Sequence, residues 1–102
     1  MAFENKQTFH TDALTVDVPG TAQQFTDHRI VQGHYLTVHA TPTNTSNVYI
    51  GETKAQAEAH NFTLTPDASA QIAIDNCEDV WLDAAIADEG AELIVEVDNV
   101  DA

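Results

Sequence analysis

Basic residues are nearly absent. Lys6, Arg29 and Lys54 stand against 17 Asp and Glu, for a formal net charge of -14. Affinity for nucleic acid comes largely from Lys and Arg neutralising phosphates, so DNA, RNA and anionic lipid surfaces are excluded as expected partners. The one cysteine, Cys77, leaves no partner for an intrachain disulfide and no Cys-based zinc cage. It also lacks a basic neighbour in sequence, which reads as an inert thiol. No apolar run approaches the length that crosses a bilayer. The first twelve residues have neither the cationic nor the apolar region of a secretory signal, and Ala2 excludes N-myristoylation. The expectation is synthesis in the cytoplasm and no membrane association.

Catalytic signatures are missing as well. There is no Gly-rich phosphate loop, no Gly-x-Ser-x-Gly elbow and no His-Glu-x-x-His. His34 and His39 are an odd number of positions apart in an extended stretch, so they point to opposite faces, while His10, His28 and His60 sit in separate segments. The acidic run Asp75-Asn76-Cys77-Glu78-Asp79 lacks the central Gly and closing Glu of a calcium-binding EF-hand loop and reads as a turn between strands. No catalytic, cofactor or metal residues are expected, and no enzyme. Two glycosylation sequons, Asn44-Thr45-Ser46 and Asn61-Phe62-Thr63, are weak signals in a chain so rich in Thr.

What is present is a folded domain. At 102 residues and 43% hydrophobic, the chain can bury about two-thirds of its unfolded surface around one core. Strand patterns recur along it: Leu14–Val18, Arg29–Ala40, Val48–Ile50, Phe62–Leu64, Ile72–Ile74, Val80–Leu82 and Leu93–Val97. Turn formers such as Pro19-Gly20, the Thr41–Asn47 stretch, Gly51, Pro66-Asp67 and Glu89-Gly90 separate them. The spacing predicts an all-β domain, a single antiparallel β-sandwich of jelly-roll type with about seven or eight short strands. Glu52–His60 is rich in helix formers but carries only alanines as an apolar face, so it reads as a loop with a helical turn. Residues 1–12 lie outside the strand grammar and read as an N-terminal arm, with 13–102 as the sandwich.

Strand phase predicts which side chains turn inward: Leu14, Val16, Val18, Ile30, Leu36, Val38, Val48, Ile50, Phe62, Leu64, Ile72, Ile74, Val80, Leu82, Leu93, Val95 and Val97. The opposite phase turns Tyr35, Tyr49 and Trp81 outward. With Phe3 and Phe9 of the arm, these aromatics are the interface candidates, because Tyr and Trp concentrate at protein contacts. Charge divides unevenly: residues 1–50 hold four acids against two bases, a net of -2, and residues 51–102 hold thirteen acids against one, a net of -12. The nearly neutral half is the side expected to meet a partner. Abundant carboxylates with scarce Lys also suit molar salt, where the Debye length shrinks to about 3 Å and repulsion is screened, so a halophilic source is expected.

The run Leu36 to Gly51, followed by Phe62-Thr63-Leu64-Thr65-Pro66-Asp67-Ala68-Ser69, Ile72–Asn76, Val80-Trp81-Leu82-Asp83-Ala84 and Glu92–Val97, covers about two-thirds of the chain. In its order of strands and turns it resembles small β-sandwich structural proteins of tailed viruses. It departs from their pattern at Asp67-Ala68, where Gly-Glu is usual, and at Asn44-Thr45-Ser46-Asn47, where an Asn-Thr-Gly turn is usual. The resemblance implies a virion protein of a tailed virus infecting a haloarchaeon: a capsid decoration or turret protein that binds the major capsid protein lattice as a homo-oligomer. A tail or baseplate component is an alternative from the same particle. A cellular carbohydrate-binding or calcium-dependent adhesion module is an alternative of another class.

Overall fold

The computed structural model describes residues 8–30 and 34–97. Among the described residues there are eight strands, β1 (Thr8–Val16), β2 (Gln23–Gln24), β3 (Leu36–Ala40), β4 (Val48–Gly51), β5 (Thr63–Leu64), β6 (Ser69–Ile72), β7 (Trp81–Ala84) and β8 (Glu89–Val97), with one short α-helix, α1 (Lys54–Glu58). They form two four-stranded sheets in the orders β1-β8-β3-β6 and β2-β7-β4-β5. Every pairing is antiparallel: β1 with β8, β2 with β7, β3 with β6 and β4 with β5, while β3·β8 and β4·β7 join these ribbons into sheets. This is a long hairpin rolled onto itself, the jelly-roll order, and the fold is the sandwich the strand pattern predicts.

The core lies between the sheets and follows the two-residue period. Val16, Leu36, Val38, Ala40, Leu93 and Val95 project from the first sheet, and Val48, Ile50, Leu64 and Leu82 from the second, all buried. Two expected core residues are instead exposed: Val18 at 57% and Phe62 at 49%. Val18 follows the end of β1, where the chain leaves the ladder for the turn at Pro19-Gly20; Phe62 precedes the two-residue β5 and sits at the sheet's rim. The Val97 side chain lies outside the described residues. Phe25, which no strand pattern flagged, is among the largest fully buried side chains. It follows a strand only two residues long, and its N–H donates to the Val80 carbonyl at 3.1 Å.

Residues 8–12, expected in the arm, are the first half of β1, paired with β8 from Thr8↔Val97 onward. Phe3 lies outside the described residues. The helix also differs from expectation, since Ala57 is fully buried and α1 packs on the sheet. Its small side chains allow contact closer than Leu would, and Gly51 makes room: a Cβ there would stand 2.6 Å from the Ala57 nitrogen. The turn Thr65–Ala68 closes by Ala68 N–H to the Thr65 carbonyl, with Pro66 second and a φ of 72° at Asp67. That is the type II arrangement, with Asp standing where Gly is usual.

Turn 41–47 is fastened to the start of β8. The Asn44 amide donates to the Gly90 carbonyl at 2.8 Å and its oxygen accepts the Gly90 N–H at 3.3 Å. The Glu89 carboxylate accepts from Thr45 N–H, Thr45 Oγ1 and Ser46 N–H, which holds its pKa below the ordinary carboxylate value. The first sequon is thereby consumed by structure: Asn44 is buried and both ends of its amide are used. A methyl group at Gly90 would collide with the Leu14 carbonyl across the β1·β8 ladder. Gly90→Ala is therefore expected to cost on the order of 3 kcal/mol. Gly20→Ala, at a φ of 90° but with open space around it, costs about 1 kcal/mol. Urea unfolding of both variants in molar salt checks the ranking, and equal losses would contradict it.

Candidate functional site

The two outer faces of the sandwich differ. On the second sheet, Tyr49 and Asp83 are cross-strand neighbours pointing away from the core. Asp83 would meet solvent there, yet it is 0% exposed, because α1 and the Val18–Ala22 segment lie over it. Its Oδ1 accepts the N–H of Gly20 and of Ala84, both at 2.8 Å, and its Oδ2 lies 2.7 Å from His60 Nε2. His60 follows the C-terminus of α1 with a φ of 60°, a left-handed position normally given to Gly or Asn. That backbone turns the imidazole back onto Tyr49, where the rings stack with centroids 3.7 Å apart. Glu58 completes the cover by accepting the Ala22 N–H at 2.8 Å. Tyr49 and Trp81 do point outward as their phase predicts, but both are only partly exposed and Tyr49 has an intrachain partner.

The outer face of the first sheet is open. Phe9 is 66%, Tyr35 55% and Ile94 44% exposed. Phe9 pairs with Glu96, and Tyr35 immediately precedes Leu36, which pairs with Val95; Ile94 is thus the diagonal neighbour of both rings. Across the sheet from Ile94 run Thr11, Thr37 and Gln71, and the next row is Ala13, Glu92, His39 and Ser69. All of these but Gln71 line an open groove of about 870 Å³. His39 Nε2 lies 2.8 Å from Asp67 Oδ1. Its Nδ1 is 3.8 Å from Glu92 Oε1, beyond hydrogen-bond reach, and that oxygen is buried with no hydrogen-bond partner among the described residues. Of the five interface candidates, Phe9 and Tyr35 therefore share one bare face, Tyr49 and Trp81 share the covered one, and Phe3 lies outside the described residues.

His10 and His28, distant in sequence, stack face to face with centroids 3.7 Å apart and planes 4° from parallel. His10 lies in β1 within what the sequence reads as an arm, and nothing in the irregular Thr26–Arg29 stretch signalled its partner. His28 is fixed by Asn76, whose Oδ1 accepts the His28 N–H, and by its carbonyl, which accepts the Cys77 N–H. Cys77 is fully buried, and burial, with Asp12 and Asp27 adding to it, pushes the thiol up from its ordinary pKa, which suits an inert role. Among the described residues no three His, Cys, Asp or Glu side chains are grouped so as to hold a metal ion, and no helix is long and apolar enough to cross a membrane. No protein-family model matches the chain, and neither a curated protein nor a solved structure matches it.

The stacked pair has a consequence for pH. Burial first, and His10 second, hold the His28 pKa below its ordinary value, against the pull of Asp27. The unfolded chain then binds the proton more tightly, so this group's stabilisation is full above about pH 6.5 and is lost as pH falls toward the lower folded value. In molar salt, where relief of carboxylate repulsion is screened, the melting temperature is expected to drop between pH 7.5 and pH 5.5. His10→Phe, which keeps a stacked ring but removes the like charge, should shrink that drop. A melting temperature that rises on acidification in molar salt would contradict it.

Proposed function

We propose that the chain is a non-enzymatic virion structural protein of a tailed virus of a halophilic host, bound to the outer surface of the capsid as a homo-oligomer. The observation that carries this reading is the bare sheet face with Phe9, Tyr35 and Ile94 on a domain of net charge -14. Exposed apolar side chains gathered on one face favour contact surfaces, and the outer face of the opposite sheet is by contrast partly covered by α1 and the Val18–Ala22 segment. Jelly rolls recur in capsid and lectin domains alike, so the fold by itself does not choose between them. The order of strands and turns shared with small tailed-virus sandwich proteins supports the virion setting, and the acidic, Lys-poor composition supports a saline one. In this arrangement the first sheet rests on the lattice. The carboxylates of the opposite side face the medium, where salt screens them.

Quantitative mass spectrometry of tailed particles purified from the source culture tests the assignment. A copy number comparable to that of the major capsid protein is expected. A handful of copies would move the protein to the tail or baseplate, and none would overturn the reading. Tyr35→Ala should weaken binding to heads on the order of 30-fold, the equivalent of about 2 kcal/mol.

A further inference from the structure

A second surface is built for a segment rather than a face. Between the sheets, where β5 and β6 form their outer edges, opens a cleft of about 650 Å³. Ile50, Phe62, Ile72, Ile74 and Val80 line it, and Glu52 and Asp79 also border it. β5 is only two residues long, and β6 is the end strand of its sheet, so among the described residues no strand pairs the far side of either. An apolar slot flanked by free main-chain edges is the setting in which an extended segment docks by adding to a sheet.

We infer that residues 1–7 of a neighbouring copy occupy this cleft, with Phe3 among its apolar side chains and Lys6 toward Glu52 or Asp79. The inference rests on the self-association in the proposed function. Three features of the chain select this occupant. The segment carries a large aromatic, it holds one of only three basic residues, and with Glu4 its charge sums to zero in a chain of net charge -14. Most other stretches of this protein would bring carboxylates to an acidic rim.

Geometry then assigns the contact to a second copy. His10, Val95, Leu36 and Ile72 lie in one row across the first sheet, so the chain enters β1 at one edge while the cleft opens at the other. That separation is three strand spacings, about 14 Å. Phe3 is five residues before Thr8, a reach of about 17 Å when fully extended. Almost all of that reach is spent before the segment can turn between the sheets of its own copy. Donor and acceptor lie on opposite edges, so the exchange closes either reciprocally between two copies or head-to-tail around a ring.

Sedimentation in molar NaCl tests this on the purified protein, independently of any particle. The full chain should form a closed oligomer of two or more copies. Deletion of residues 1–7, or Phe62→Glu at a half-exposed site that leaves the core intact, should each yield monomers. Mixed in equal amounts, the two variants should form a one-to-one heterodimer, because one supplies the segment and the other the cleft. A monomeric full chain, a deletion variant that keeps the oligomer, or a mixture that stays monomeric would each overturn the inference. Should Phe62→Glu fail to fold, a synthetic peptide of residues 1–7 titrated into the deletion variant decides: saturable binding supports the inference and no binding overturns it. Absence of the protein from virions would remove the proposed function and leave this result standing.

Discussion

The carboxylate of Asp83 is the constraint around which the covered half of the molecule is arranged. A carboxylate without access to water is costly unless its oxygens are hydrogen-bonded, and three donors from three segments meet it here. Gly20 brings the Val18–Ala22 segment, His60 brings the end of α1, and Ala84 comes from the strand itself. Satisfying this group forces the chain to lay two connections over the second sheet. It also explains two otherwise unfavourable features, the left-handed backbone at His60 and the contact of α1 with Gly51, which excludes any side chain. The strain at His60 is offset by its bond to Asp83 and its stack on Tyr49.

That cover leaves the sandwich asymmetric. The second sheet has part of its outer face covered, with Asp83 fully buried there, whereas the first presents Phe9, Tyr35 and Ile94 outward. The charge does not divide with the sheets: the nearly neutral half of the sequence supplies Phe9 and Tyr35, but β6 and β8 of the same sheet come from the acidic half. A protein of this composition gains little from surface ion pairs in concentrated salt, so its contacts must come from apolar and uncharged surface. Both surfaces proposed to make contacts carry exposed or lining apolar side chains, with His39 and Glu92 beside the first and Glu52 and Asp79 bordering the second.

Much of the fold was legible in the sequence because it rests on period-two alternation and turn residues. Leu36-Thr37-Val38 and Val48-Tyr49-Ile50 bury and expose side chains as their phase predicts. Phe25 and β2 were not legible, since a two-residue strand has no period. Nor was the burial of Asp83: its phase pointed to solvent, and only the tertiary placement of an alanine-rich helical turn removes it from water. The stack of His10 on His28 likewise depends on where an irregular segment crosses the end of β1. Tyr35 was legible as outward from its strand phase and Phe9 only as an interface candidate of the arm, and their convergence around Ile94 required the registers of β1, β8 and β3. The edge cleft was invisible for the same reason, because it is formed by strands far apart in the chain.

The central claim is that this jelly roll is an assembly module, seated by its bare sheet on a larger lattice. A cryo-electron reconstruction of tailed particles from the source culture, at a resolution that separates strands, tests it most directly. The account predicts jelly-roll density on the outer surface of the head, with β1, β8 and β3 turned toward the capsid and α1 toward solvent. Heads without that density, or the same domain seated through its α1 side, would contradict it.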